Sequence, residues 1–191
     1  MSVFAGIVSS SGTDVPAQDW TLVGVDAIEA SPSDELTVLG GVLSYSSVKF
    51  IADLDSAGTQ TLRIIFPQAV SDCDWFAIRI NESGLTDTGI LSSSTVAPPG
   101  TGIHVPLDSA GRYLIVGEFS PSDIPGEFGK VSIDVQRTND GTDYEMTTFH
   151  GFVNVVAPWT TADFTMTSSV ATGLKAGSRL SVYSSPASVT G

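Results

Sequence analysis

The chain has 191 residues, 21 acidic and 8 basic, for a formal net charge of -13; so acidic a surface repels phosphate backbones and anionic lipid heads, which disfavours nucleic-acid binding and peripheral membrane attachment. The apolar share of 41% supports a globular core, while the charged share of 15% lies well below the roughly 25% of an average soluble protein, with Ser, Thr and Gly in place of charge. Cys73 is the single cysteine, so no intrachain disulfide forms, and no segment approaches the roughly 20 apolar residues of a membrane span.

A chain of this length suits one domain with a full core, spanning residues 1–191. Lys49, Lys130 and Lys175 are its only lysines. Two readings of the acidity stand: ordinary solubility, and adaptation to high salt, where screening shortens the reach of carboxylate repulsion. The opening MSVFAGIVSSSG has neither a basic n-region nor a long enough apolar run for a signal peptide, so synthesis in the cytoplasm without an export signal is expected.

In chain order, segments 3–8 and 20–28 read as strands separated by a polar linker at 12–18. Segment 33–39 is the best helix candidate, with Ser33 as N-cap before Asp34 and Glu35 and Gly40-Gly41 as the stop. Segment 42–54 alternates as a long strand. The turn Leu54-Asp55-Ser56-Ala57-Gly58 returns it into Leu62, Ile64 and Phe66, and Pro67 ends that run. Segment 75–80 reads as a buried strand closed by Asn81-Glu82-Ser83-Gly84. Residues 84–102, with Pro98-Pro99-Gly100, are the most linker-like stretch and a possible boundary between halves.

The central unit follows at 103–119: Ile103 and Val105, a turn, then Tyr113, Ile115, Gly117 and Phe119 in alternation. Its turn, Leu107-Asp108-Ser109-Ala110-Gly111, repeats the earlier one letter for letter, 53 positions on. A loop is expected at 120–129. Val131, Ile133 and Val135 alternate strictly, Asn139-Asp140-Gly141 signals a hairpin, and the return arm runs over 144–156. Phe164 with Met166 and Leu180 with Val182 complete the set, the last approached through Gly173-Leu174-Lys175-Ala176-Gly177. About ten to twelve strands make an all-β chain, a jelly-roll or Greek-key β-sandwich. The alternative is two small sandwiches divided near 84–102.

Pro106, Gly111 and Tyr113 in PLDSAGRYLIVGEF, with Leu174 and Gly177 in GLKAGSRLSVYSS, resemble the jelly-roll modules of the complement-head and tumour-necrosis-factor-like type. In size, composition and architecture the chain also resembles the small single-jelly-roll capsid proteins of icosahedral viruses infecting halophilic archaea. That resemblance implies a virion shell subunit. Such a subunit assembles through edge strands and loops with copies of itself and other capsid proteins, without nucleic-acid contact, membrane insertion or a cofactor.

The residues offer little chemistry. His104 and His150 stand in strand contexts away from any G-x-S-x-G nucleophile pattern and without partners at zinc spacing, so structural roles are expected. Asp72 with Asp74, Asp53 with Asp55, and Asn139-Asp140-Gly141-Thr142-Asp143 could each give a calcium ion three or four oxygens, but none has EF-hand spacing. Cys73 lies between two aspartates, which disfavours its thiolate. Asn81-Glu82-Ser83 matches the glycosylation sequon, and with no export signal expected the match is expected to be chance.

A structural role in a particle assembled inside the cell reconciles a sandwich sequence with the lack of an export signal and of catalytic motifs. A non-catalytic ligand- or carbohydrate-binding module is the alternative. It needs an exposed aromatic platform, for which Trp20, Trp75 and Trp159 are candidates, although each lies in an apolar run that suits the core. A hydrolase would need two close carboxylates, or a histidine beside a nucleophile. For a shell subunit, the acidic excess should face solvent and the Ser/Thr/Gly surface should face neighbours.

Overall fold

A computed structural model describes residues 20–39, 47–65, 70–81, 84–87, 93–95, 103–120, 128–138, 144–155 and 164–185. Thirteen strands lie among them: β1 (Thr21–Ala27), β2 (Glu35–Val38), β3 (Ser47–Ser56), β4 (Gln60–Ile65), β5 (Val70–Asn81), β6 (Gly84–Asp87), β7 (Ser93–Thr95), β8 (Ile103–Leu107), β9 (Gly111–Ser120), β10 (Phe128–Thr138), β11 (Tyr144–Val155), β12 (Phe164–Ser168) and β13 (Arg179–Ser185). They form two antiparallel sheets. One has nine strands, in the order β1-β13-β3-β9-β10-β11-β5-β6 with β7 also on β5; the other has four, β2-β12-β4-β8. The protein is therefore an all-β sandwich with one strand more than the upper expectation. The expected strand at 3–8, the linker at 12–18 and the Pro98-Pro99-Gly100 and Asn139-Asp140-Gly141 segments lie outside the described residues.

Period-2 alternation produces the core. Val48, Phe50, Ala52 and Leu54 on β3 point inward, as do Tyr113, Ile115 and Phe119 on β9, while the residues between them are outward. From the smaller sheet, Leu36, Leu62, Ile64, Ile103, Val105, Leu107, Phe164 and Met166 face them, all at most 1% exposed. Phe50 and Phe164 meet across the sandwich at 4.8 Å between ring centroids, tilted by 37°. Each fully buried side chain of this kind stabilises the fold by about 1.5–3 kcal/mol.

The segment expected to be a helix is strand β2. Leu36 and Val38 are both buried, two residues apart, and only an extended chain puts i and i+2 on one face. Ser33 still does what a cap does, its Oγ accepting the Glu35 N–H at 3.2 Å, but in a turn that leads into a strand. The expected 75–80 strand is longer, and Ile78 on it is exposed rather than buried, although Ala77 is buried. Phe128 and Gly129, assigned to a loop by sequence, open β10.

Both Leu-Asp-Ser-Ala-Gly turns cross between sheets. The first leaves β3 in the large sheet and enters β4 in the small one; the second runs from β8 back to β9. The strands they join are not hydrogen-bonded to each other. Instead β3 pairs with β9 and β4 with β8, so the two copies stack, with Leu54 opposite Tyr113, Ser56 opposite Gly111 and Gln60 opposite Leu107. Thr59 Oγ1 donates to the Asp108 carbonyl at 2.7 Å and ties one turn to the other. Leu54 and Leu107 are both fully buried. Gly111 sits at φ 144°, a conformation that favours glycine, so the second copy needs its final residue more than the first does.

Residues 169–178 bind this end together. Leu174 exchanges two backbone hydrogen bonds with Ser33, both 2.9 Å, Ala57 N donates to Gly173 O at 2.9 Å, and Lys175 N donates to Asp55 O at 2.8 Å. Ile28 and residues 177–178 exchange two more. Leu174 is fully buried, and Gly177 has φ 92°. The two residues that carried the second sequence resemblance are thus a core plug and a left-handed turn.

The small sheet has both edges blunted. On β8, Pro106 faces the open side of an edge strand, where a missing N–H is tolerated. At the β2 edge, Asp26 Oδ2 accepts the Thr37 N–H at 2.7 Å. Asp26→Ala should cost about 1–2 kcal/mol in urea unfolding, with Asp26→Asn intermediate, because a part-buried donor loses a charged acceptor. Equal stability of all three would show that the β2 edge is satisfied otherwise.

Candidate functional site

The two histidines do not share a site. His104 projects from the outer face of β8, in register with Arg63 of β4, while His150 projects from the outer face of β11, in register with Ser132 of β10. Around His104 a shallow depression of about 380 Å³ is lined by Thr61, Arg63, Thr167, Ser168 and Ser169, hydroxyls and a guanidinium with no aromatic ring. Around His150 a depression of about 430 Å³ is lined by Glu118, Ser120, Lys130, Ser132 and Phe152.

In that second depression Glu118, Ser132 and His150 fall in one row across β9, β10 and β11. The order is unsuited to a nucleophile relay. The serine stands between the acid and the imidazole, so the carboxylate is two strand spacings, about 10 Å, from the ring it would have to orient.

The carboxylate pairs are engaged. Asp53 takes two hydrogen bonds from Arg112, at 3.1 and 2.7 Å, and Asp55 lies 3.1 Å from Lys175 Nζ. The hydrogen bond to Asp53, and then its charge, push the Arg112 guanidinium above its ordinary range. Such exposed pairs orient side chains more than they stabilise the fold. Among the described residues no three His, Cys, Asp or Glu side chains gather to hold a metal ion. The side chains of Asp72, Cys73, Asp74, Trp75 and Asn81 and the whole of 139–143 and Trp159 lie outside the description. Trp20 is half-buried rather than core, with Lys49 Nζ 5.9 Å from its ring centroid.

What the sequence did not reveal is the contrast between the two outer faces. The small sheet presents Thr37, Thr61, Thr165 and Thr167 with Glu35, Arg63 and His104; Thr37 and Thr165 hydroxyls lie 3.0 Å apart. The large sheet instead carries six of the exposed large apolar residues: Leu22, Val25, Ile78, Leu114, Met146 and Phe152. On four neighbouring strands, β13, β3, β9 and β10, the outward charges are Lys49, Arg112, Lys130 and Arg179 against Asp53, Asp55, Glu118 and Asp134. Half of the chain's 8 basic residues lie on these four strands with 4 of its 21 acidic ones, so this part of the face is neutral on a chain of net charge -13.

No helix among the described residues is long and apolar enough to cross a membrane. No protein-family model matches the chain, and no curated protein matches it in sequence.

Proposed function

We propose that the chain is a structural subunit of an icosahedral virus capsid, built as a single jelly roll and working through contacts with copies of itself and other capsid proteins. The observation that carries this reading is the strand pairing. Eight strands taken in chain order (β1, β2, β3, β4, β8, β9, β12, β13) pair first with eighth, second with seventh, third with sixth and fourth with fifth. That is a long hairpin ladder, and the β13·β3 and β12·β4 pairs are what rolling it up adds. Strands β5–β7 and β10–β11 interrupt the series, and both insertions widen the same sheet beyond β9.

A fold does not assign a function by itself. The neutral, apolar-laced outer face supports a life among neighbours, since exposed apolar patches mark interaction surfaces. With the edges of the small sheet blunted, edge contacts fall to the large sheet, at β1, where Leu22 and Val25 are exposed, and at its β6 end. The acidity and the scarcity of lysine support a high-salt setting. A non-catalytic ligand- or carbohydrate-binding module is the second reading, favoured by the depression beside half-exposed Phe152.

The size of the native complex tests the proposal. The expected result is a megadalton particle containing the chain in many copies. A lone chain in its source, or one that binds glycans on an array and stays monomeric from low to multimolar salt, would overturn it.

A further inference from the structure

We infer that the outer face of the nine-stranded sheet is a self-association surface, docking onto the same face of a second copy about a two-fold axis. The inference rests on the reading of the chain as an assembling subunit and names the partner and the residues. Its centre is a row in direct cross-strand register: Val25, Ser181, Ile51, Val116, Asp134, Thr148 and Ile78, on seven neighbouring strands. Asp134 is the only charge in the row, and its Oδ1 accepts the Thr148 hydroxyl at 2.8 Å.

The rows on either side carry the charge. One runs Arg179, Asp53, Leu114, Gln136, Met146; the other runs Tyr183, Lys49, Glu118, Ser132, His150. An isologous interface needs a patch complementary to itself. A two-fold axis lying along the central row turns one flanking row onto the other. Asp53 then meets Lys49 of the second copy, Arg179 meets Tyr183, Leu114 meets Glu118, Gln136 meets Ser132 and Met146 meets His150, while Ile51 and Val116 meet their own counterparts. Lys49, Ile51 and Asp53 on β3 are thus a plus, apolar, minus series centred on the axis.

A second copy is the occupant that charge favours. The chain carries a net charge of -13, so two copies avoid mutual repulsion best by meeting at a charge-balanced face; the small sheet's outer face is balanced as well, by Glu35 and Arg63, but those two share one row and form no plus, apolar, minus series. A basic partner would be drawn elsewhere on the surface. The area is adequate: six strand spacings give about 30 Å, and the ten residues of β3 about 30 Å, a footprint of about 900 Å² against the roughly 800 Å² each partner gives a standard interface. Asp134 meets its own copy on the axis, a repulsion that salt screens, while salt also weakens the two Lys49–Asp53 contacts.

Sedimentation equilibrium on the full chain, from low to multimolar salt, tests this. The wild type should form a concentration-dependent dimer. Val116→Lys keeps an intramolecular partner in Asp134 but sets two ammonium groups face to face, and should weaken the dimer at least about tenfold, with an unchanged melting curve. Lys49→Asp should weaken it, and adding Asp53→Lys should restore it in part, because Asp53 also pairs with Arg112 of its own chain. Thr165→Asp, on the other sheet, should leave it unchanged. A dimer indifferent to Val116→Lys and to the charge exchange, or a wild type that stays monomeric, overturns the inference. Native particle size decides the capsid reading separately: large particles alongside a dimer indifferent to these variants would leave that reading standing and remove only this surface.

Discussion

Gly117→Val is expected to lower the unfolding free energy by about 3 kcal/mol or more, read as a fall in Tm of about 6–12 °C for a domain of this size. Gly117 lies on the inner face of β9, directly opposite Phe50 of β3. The Phe50 ring covers it: a Cβ at this position would fall within 2.8 Å of Cε2 and closer still to Cζ and Cε1. The ring has nowhere to retreat, being fully buried and in contact with Phe164 from the opposite sheet. A close-packed core transmits such a clash instead of absorbing it. Gly117→Ala should cost less than valine, and Phe50→Leu should relieve part of its effect, giving a clear coupling in a double-mutant cycle. If Gly117→Val unfolds in urea within about 0.5 kcal/mol of wild type, the ring is not held as described.

Gly117 also shows what a sequence makes visible. The alternation of Tyr113, Ile115, Gly117 and Phe119 marks it as an inward position, and an inward glycine in a strand signals close approach by something large. That the intruder is Phe50, 67 positions earlier, follows only from the β3·β9 pairing. The same limit applies to the repeated turns. Their letters specify a chain reversal, and both reverse the chain; whether the two arms pair side by side or face each other across a core is decided by where Leu54 and Leu107 are buried. The alternation of Val131, Ile133 and Val135 was legible for the opposite reason, because one buried face imposes a period of two on a single segment.

Segment 33–39 was misread because Ser33, Asp34 and Glu35 form a helix-start pattern, while the strand signal is only two residues, Leu36 and Val38. Four residues are too few for either period to declare itself, and the core decided. The neutral face could not be read at all. Its central row draws one residue from each of seven strands scattered between positions 25 and 181, so no local pattern encodes it. Composition announced an acidic chain without saying that half the bases share one surface. Of the outward residues described, the small sheet presents mostly threonines, and the large sheet carries the exposed apolar residues.

Gln60→Ala is expected to cost about 2–4 kcal/mol, because one side chain joins three parts of the chain at the tied end of the sandwich. Gln60 opens β4 and is only 6% exposed. Its Nε2 donates to Ser56 Oγ at 2.6 Å and to the Gly173 carbonyl at 2.9 Å, and its Oε1 accepts from Ser168 Oγ. Alanine strands these partners in a buried space too small to rehydrate well. Gln60→Glu isolates the donor. A protonated carboxyl can still donate to Gly173 O, whereas an ionised one sets an anion against that carbonyl, so folding raises the pKa of the introduced carboxyl above the ordinary glutamate value of about 4.3. The stability it retains is present below that ordinary value and is lost as pH rises through the raised one. Thermal melts of Gln60→Glu and wild type across that range should therefore converge on the acid side and separate toward neutrality. A constant gap between the two curves would show that Gln60 fills space at this junction without donating across it. Hydrogen exchange should then find the 169–178 segment equally protected in both proteins, where the donor model expects it to open first in the variant.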